Sequence, residues 1–467
     1  MVKKVTSLRQ WIVSITAIII IVIGTLILVA FAQGYNYDAL HNQIYKTGLV
    51  LIDSSPNNAE IFLNSKIINK KTPYRYSGAP AGNLVVELKK EGYRDWLKNS
   101  VVIPGEVTFV NYSLLLPSVL EQKPINEDII FSDIVKAENN NKVIGASNKS
   151  LAIYSVSEDD TIKPIYTVPQ SNDPNTQVVE IFGVQLSRDG QRLLFKQKLS
   201  NSTIQTIVLD TSSSKTTNLT QEFGFSFNDI RFNPKNSSEL FWLESGVLKK
   251  IQLNGNSITS NIIDSIFQLE IEEDRLMVVK QDPIQKQLAN LLSYDLSGAN
   301  EILISQIEFD PKGYDILFVQ SRYAEYLSLV FKSSSRAELT KNPYQKSSGS
   351  KSTKQIGSNV LNQSINPNSR FLVYNQNNIL RSLDLEFNQD ESYEANLLGL
   401  QSWSWYDDYH LVIQQNNTIR FLDYDGQNNY LLTPINDVVD FGIQPSQKSI
   451  LPLNNTGKLY KLYLTKK

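Results

Sequence analysis

Residues 11–32, WIVSITAIIIIVIGTLILVAFA, carry no charge. A segment apolar on every face has no solvated side, so it cannot lie on the surface of a water-soluble domain. At about 1.5 Å per residue, a helix of this length reaches about 33 Å, enough to cross a bilayer's hydrocarbon core. Lys3, Lys4 and Arg9 precede it, Trp11 stands at its start, and Tyr35 and Tyr37 follow its end. Basic residues stay on the cytoplasmic side, and amphipathic rings favour both interfaces. The pattern predicts a single-pass signal anchor at 11–32. Residues 1–10 would be a cytoplasmic tail, 33–45 a juxtamembrane linker, and the C-terminal bulk would lie outside the cytoplasm. The rival reading is a cleaved signal peptide, because Ala30-Phe31-Ala32 fits a small-x-small cleavage site; the run is nevertheless longer than the usual apolar region of about 7–15 residues. A tail of ten residues fits a tether and leaves no room for a cytoplasmic signalling domain.

Composition narrows what the outer part can do. The formal net charge is −2, so no overall basic field points to nucleic acid. The chain has no cysteine, which removes disulfides, thiolate metal ligands and thiol nucleophiles. Its two histidines, His41 and His410, stand far apart. A histidine-built metal site needs a cluster, and a Ser-His-Asp relay would have to use one of these two. Each is read as a surface or packing residue.

From about residue 46 to 117 short extended runs alternate with turn residues, as in a small β-sandwich. Gly48 to Asp53 is apolar and extended, Ala59 to Asn64 alternates, and Leu84 to Leu88 and Val107 to Leu116 follow. Ser54, Pro56, Ala59, Thr72-Pro73, Pro80-Ala81-Gly82 and Gly92-Tyr93 occur in that order between them. This ordered set resembles the PEGA domain family, although Pro56-Asn57-Asn58-Ala59 lacks the central Glu-Gly of the name. The resemblance implies a non-catalytic β-sandwich of prokaryotic cell envelopes, here a spacer between the bilayer and a larger domain.

After a linker at 118–126, residues 127–467 read as repeated short strands with polar turns, the signature of a β-propeller with a period of about 40–45 residues. The clearest unit is GVQLSRDGQRLLFK from Gly183; others start at Asp229, Ile307, Ser364, Ser402 and Phe441. Turns near residues 138, 188, 234, 274, 311, 367, 407 and 446 suggest eight blades. Seven is the alternative, since ring closure can divide a blade between the two ends. Ser187-Arg188-Asp189-Gly190 and the related Asn-Pro-Lys and Asp-Pro-Lys-Gly turns resemble TolB-like propeller repeats. In such turns Asp caps backbone N–H groups and Gly takes a positive φ. The predicted fold class is thus mainly β: one transmembrane helix, a small sandwich, and a seven- or eight-bladed propeller.

The search for chemistry yields no catalytic, cofactor-binding or metal-ligating residue. There is no Gly-x-Ser-x-Gly nucleophile turn, phosphate loop or dinucleotide fingerprint. Glu270, Glu272, Glu273 and Asp274, and the pair Asp407-Asp408, are read as solvated loops. A glycosidase would need two such carboxylates at a set separation, about 5–9.5 Å. The Ser/Lys-rich stretch 332–357 is read as a mobile loop between blades, or else a contact for an anionic polymer or lipid headgroup. Trp403 and Trp405, with Tyr406 and Tyr409 close by, are read as blade packing rather than a sugar platform. The expectation is a non-catalytic, membrane-anchored binding or scaffold protein of the envelope, using no cofactor, with an envelope protein or glycan as partner. The alternative is an envelope carbohydrate-active enzyme whose carboxylates converge on the propeller axis.

Overall fold

The computed structural model describes all residues except 1, 33, 39–42, 127, 138–139, 158–159, 256, 345–350, 433–434, 436 and 467. The chain divides into two compact units, Met1–Val119 and Leu120–Lys467.

The first unit opens with helix α1 (Val2–Ala32), which also takes in most of the residues expected to form the tail. Its window Trp11–Ala30 is long and apolar enough to cross a membrane, and none of it is buried against protein. Part of the expected linker at 33–45 is instead a β-hairpin of β1 (Tyr35–Asp38) with the start of β2 (Gln43–Ser55). The remaining strands are β3 (Glu60–Leu63), β4 (Lys66–Lys71), β5 (Tyr74–Pro80), β6 (Gly82–Lys89), β7 (Trp96–Val102) and β8 (Val107–Leu114). They form two sheets. In one, β2 pairs antiparallel with β1 and β5 and parallel with β8; the other runs β4-β3-β6-β7. The period-2 alternation places Leu84, Val86 and Leu88 of β6 inward, against Val50 and Ile52 of β2. Trp96 fills the centre, edge-on to Tyr112.

The second unit is a propeller of eight four-stranded sheets. Blades 1 to 7 span residues 133–167, 178–218, 229–263, 268–308, 314–357, 360–396 and 400–431, each an antiparallel meander from inner to outer strand. Blade 8 takes three strands from 438–463, and its outer strand is β9 (Gln122–Asn126). Leu459 pairs with Asn126, and Leu462 with Gln122. Residues 122–126 are therefore not linker but the strand that closes the ring. An edge strand left open would expose unpaired N–H and C=O groups, and closure removes it.

Neighbouring blades pack through apolar faces. Leu194 and Val208 of blade 2 meet Ile230, Leu240 and Trp242 of blade 3, and Leu451 and Leu453 of blade 8 meet Phe131, Ile134 and Val143 beside and within blade 1. Side chains also tie one inner strand to the next. Gln268 Nε2 donates to Tyr314 O (2.7 Å) while its Oε1 accepts from Tyr314 N (2.8 Å). Gln363 Nε2 reaches Asp315 O in the same way, and Gln414 Nε2, from the second strand of blade 7, reaches Val438 O on the inner strand of blade 8.

Two sequence readings change here. The unit read from Ile307 is out of phase: Asp310-Pro311-Lys312-Gly313 lies between the outer strand of blade 4 and the inner strand of blade 5, not within a blade. Asp310 accepts from Lys312 N and Ser333 N there. The same turn chemistry serves a hairpin or a connection, so a motif alone cannot fix the phase. The stretch 332–357 holds the third and outer strands of blade 5, Arg336–Lys341 and Ser352–Gly357, and only 345–350 lies outside the described residues.

Candidate functional site

The inner strands of the propeller converge on its axis. Where several of them turn outward to their second strands, a cavity of about 910 Å³ opens. Blades 2, 3 and 4 contribute their turns to its mouth: Arg188, Lys235, and Glu272 to Arg275; Phe318 of blade 5 forms part of the wall. The acidic cluster read as solvated loop is thus part of a concave site. Its position was legible only in outline, as a turn in phase with those near 188 and 234.

Several of the charges at the mouth are paired. Arg188 Nη1 lies 3.0 Å from Glu273 Oε1, linking blade 2 to blade 4 past blade 3. Arg231 bridges Asp229 and Glu270, each at 3.1 Å. Arg275 bonds Asp274 at 3.1 Å, donates to the Tyr344 hydroxyl, and places its guanidinium over the Phe318 and Tyr344 rings at 4.7 and 5.0 Å. That stacking holds a cation by its face while its edge stays free for hydrogen bonds. Arg275 keeps the Asp274 carboxyl below the usual carboxylate range, against the effect of burial and with help from Lys235. The mouth therefore presents fixed charges of both signs on an aromatic wall. Among the described residues no group of three or more His, Asp or Glu is placed to hold a metal ion.

The other singled-out residues lie away from this cavity. His41 is outside the described residues. His410 is 2% exposed, its Nδ1 2.8 Å from both Asp407 oxygens and its Nε2 3.6 Å from Asp423 Oδ1. Phe421 stacks on the ring. A Ser-His-Asp relay needs a hydroxyl at Nε2, and a second carboxylate stands there instead. Burial disfavours the imidazolium, but Asp407, Asp423 and Asp425 outweigh it and raise the pKa. Asp407 stands in a loop with its side chain 41% exposed, and it also caps that turn by accepting from Tyr409 N and His410 N. Trp403 and Trp405 pack against the core shared by blades 6 and 7, and the Trp403 indole donates to Ser364 Oγ at 2.7 Å. Asp189 plays the turn role expected of it, accepting from Gln191 N and from Ser187 Oγ; its other oxygen accepts from Ser237 Oγ of blade 3.

In the sandwich the ordered turn residues meet in space. Ser54 Oγ and Thr72 Oγ1 lie 2.6 Å apart, both buried. Ala59 N donates to Thr72 Oγ1 (3.0 Å), and Ser54 Oγ donates to Pro56 O (2.9 Å), so the two hydroxyls relay one hydrogen-bond chain between two turns. The Ser55-Pro56 and Thr72-Pro73 peptides flanking the pair are both cis. Thr72→Val strands the buried Ala59 N–H and is expected to cost about 1–3 kcal/mol, read as faster hydrogen exchange at the Ala59 amide. The PEGA domain model matches residues 47–116. This segment is a PEGA domain. Ser54, Pro56, Ala59 and Thr72 of its ordered turn residues thus serve the fold of the PEGA domain.

No curated protein sequence matches the chain significantly. Among solved structures it is similar to an oligogalacturonate lyase in complex with manganese, at 12% identity and a TM-score of 0.43, over 74% of this chain and 98% of that one. It is also similar to Porphyromonas gingivalis dipeptidyl peptidase 4, at 9% identity and a TM-score of 0.47, over 68% of this chain and 55% of that one. A β-propeller domain from Myceliophteria thermophila matches at 8% identity and a TM-score of 0.34, over 63% of this chain and 99% of that one. These likenesses concern the fold and carry nothing about activity.

Proposed function

We propose that this chain is a membrane-anchored, extracytoplasmic binding protein of the cell envelope. Helix α1 is the anchor, the PEGA domain a spacer, and the propeller mouth the surface that holds an envelope protein or glycan. The observation that carries this reading is the charge-compensated cavity between Arg188, Lys235, Glu272 and Arg275. Fixed charges of both signs around an aromatic wall suit recognition of a polar, charge-bearing partner.

A second reading, an envelope carbohydrate-active enzyme, draws on the same carboxylates beside Phe318. A glycosidase acid must hold a proton near neutral pH, which calls for a raised pKa. Asp274 is shifted the other way and Glu273 is ion-paired, which favours binding over catalysis.

Photo-crosslinking in native membranes from position 320, an exposed residue lining the same cavity, tests the proposal. A discrete adduct is expected from the wild-type chain, reduced at least about tenfold, or about 1.4 kcal/mol, in the charge-reversed variant Arg188→Glu/Lys235→Glu with its circular dichroism unchanged. Turnover of a glycan or peptide by the purified chain, abolished by Glu272→Gln, would replace the binding reading with the enzymatic one.

A further inference from the structure

The PEGA domain leaves apolar side chains exposed at one end, and that end is fixed to the helix exit. Gly34 stands two residues after α1, a reach of at most about 7 Å. Its carbonyl accepts from both Thr47 N (2.6 Å) and Thr47 Oγ1 (2.8 Å) at the sandwich end of the β1–β2 hairpin. Thr47 O in turn accepts from Gly105 N (3.0 Å) in the turn between β7 and β8. Gly34 has φ +83°, and a Cβ there would sit 2.5 Å from Thr47 O and 3.3 Å from Gly105 N. Only glycine fits this corner without a shift, so helix exit, hairpin and β7–β8 turn are held together.

Around the corner, exposed apolar side chains stand beside the exposed Lys46 and Glu106. In the turn and the first residue of β8, Ile103 is 48% exposed and Val107 42%. In the hairpin, Tyr37 and Ile44 are direct cross-strand partners, 54% and 71% exposed. Because β2 enters the sandwich from residue 47 onward, the hairpin residues before it extend beyond the sandwich body. A soluble domain has no reason to gather these groups at the end where its chain meets a membrane helix, whereas a lipid interface receives them favourably.

We infer that this end of the PEGA domain is seated in the lipid headgroup region. Ile103, Val107, Tyr37 and Ile44 would contact the boundary between headgroups and acyl chains. The interfacial layer is roughly 5–8 Å deep on each side, within reach of a turn held this close to the helix exit. The inference rests on the reading of α1 as a membrane anchor and goes beyond it: the domain is not a free spacer on a tether but a foot resting on the bilayer.

The absence of native cysteine makes the test direct. The full chain, carrying one introduced cysteine at a time (Leu26→Cys, Ile103→Cys, Val107→Cys or Asn57→Cys), is labelled with a nitrobenzoxadiazole fluorophore. It is then reconstituted into phosphatidylethanolamine/phosphatidylglycerol vesicles containing lipids brominated at a deep or a shallow acyl position. Asn57 lies just past the far end of β2 and is the solvent reference. The expected result is deep quenching at 26, and shallow quenching at 103 and 107 at least about twofold above that at 57. If 26 is quenched while 103 and 107 behave like 57, the anchor stands and the foot does not. A blue shift at 103 and 107 that resists brominated lipid and grows with the protein-to-lipid ratio would assign the patch to a second copy of the chain and overturn the inference. Absence of quenching at 26 would remove the anchor reading and this one with it.

Discussion

Replacing Asp160 by asparagine is expected to destabilise the propeller by about 3–5 kcal/mol. Asp160 belongs to blade 1, yet its carboxylate receives Lys461 Nζ at 2.6 Å and the Tyr463 hydroxyl at 2.8 Å from blade 8, and Lys123 Nζ at 3.3 Å from β9. Lys461 is 1% exposed, so removing this carboxylate takes a charged partner from an ammonium ion in a site that water does not reach. Burial acts to raise the Asp160 pKa, but the bonds from Lys461, Tyr463 and Lys123 prevail and lower it. Its stabilising contribution is therefore present above the unfolded carboxylate value, about 3.9, and is lost as pH falls through the lowered folded value. Burial and the Asp160 bond push the Tyr463 phenol up to about 12. Thermal denaturation of the full chain with both single variants and the pair tests the coupling. Asp160→Asn combined with Lys461→Met should recover much of the loss, because apolar replacement of a whole buried pair is often neutral or stabilising. Additive losses would show that the seam is held by β9 pairing alone.

The second large effect is expected at His410. His410→Ala would remove the imidazolium between the buried Asp423 and Asp407, which is 41% exposed and screened by solvent, at a cost of about 1–3 kcal/mol. Because the folded pKa of His410 is raised, its contribution is fully present below the unfolded value of about 6.5 and declines as pH rises through the folded value. Asp407 is shifted down, because His410 outweighs burial, so its contribution holds above about 3.9 and fades only in acid. The wild-type melting temperature should therefore fall between mildly acidic and alkaline pH through this group, and that limb should flatten in His410→Ala. An unchanged alkaline limb would mean that the imidazole is neutral throughout.

These two clusters also show what the sequence could and could not reveal. The turn at 187–190 was readable because Asp189 bonds Ser187 and Gln191, each two positions away, whereas its bond to Ser237 spans 48. The Asp160 cluster joins residues 301 and 303 positions apart, and no local pattern marks it. Strand β9 was hidden for the same reason: Gln122 to Asn126 contains Pro124 and little apolar alternation, and becomes a strand only because blade 8 offers an edge. The PEGA domain was legible from its turn residues, although the contact that explains them, Ser54 with Thr72, spans 18 positions and required the fold. In the mouth, the residue types were visible but their convergence was not, since Arg188 and Glu273 sit in turns two blades apart.

The closing strand also sets a clock. A chain made from its N-terminus delivers β9 early, and β9 must then wait for the strand Leu459–Tyr463 before the ring can shut. At synthesis rates of about 5–20 residues per second, the roughly 340 residues between Gln122 and its partner Leu462 take about 17–68 s to arrive. For that interval the blades are an open stack with two bare edges, vulnerable to proteases or to mispairing with a neighbouring chain. The last few strands to emerge decide whether the rest becomes a wheel.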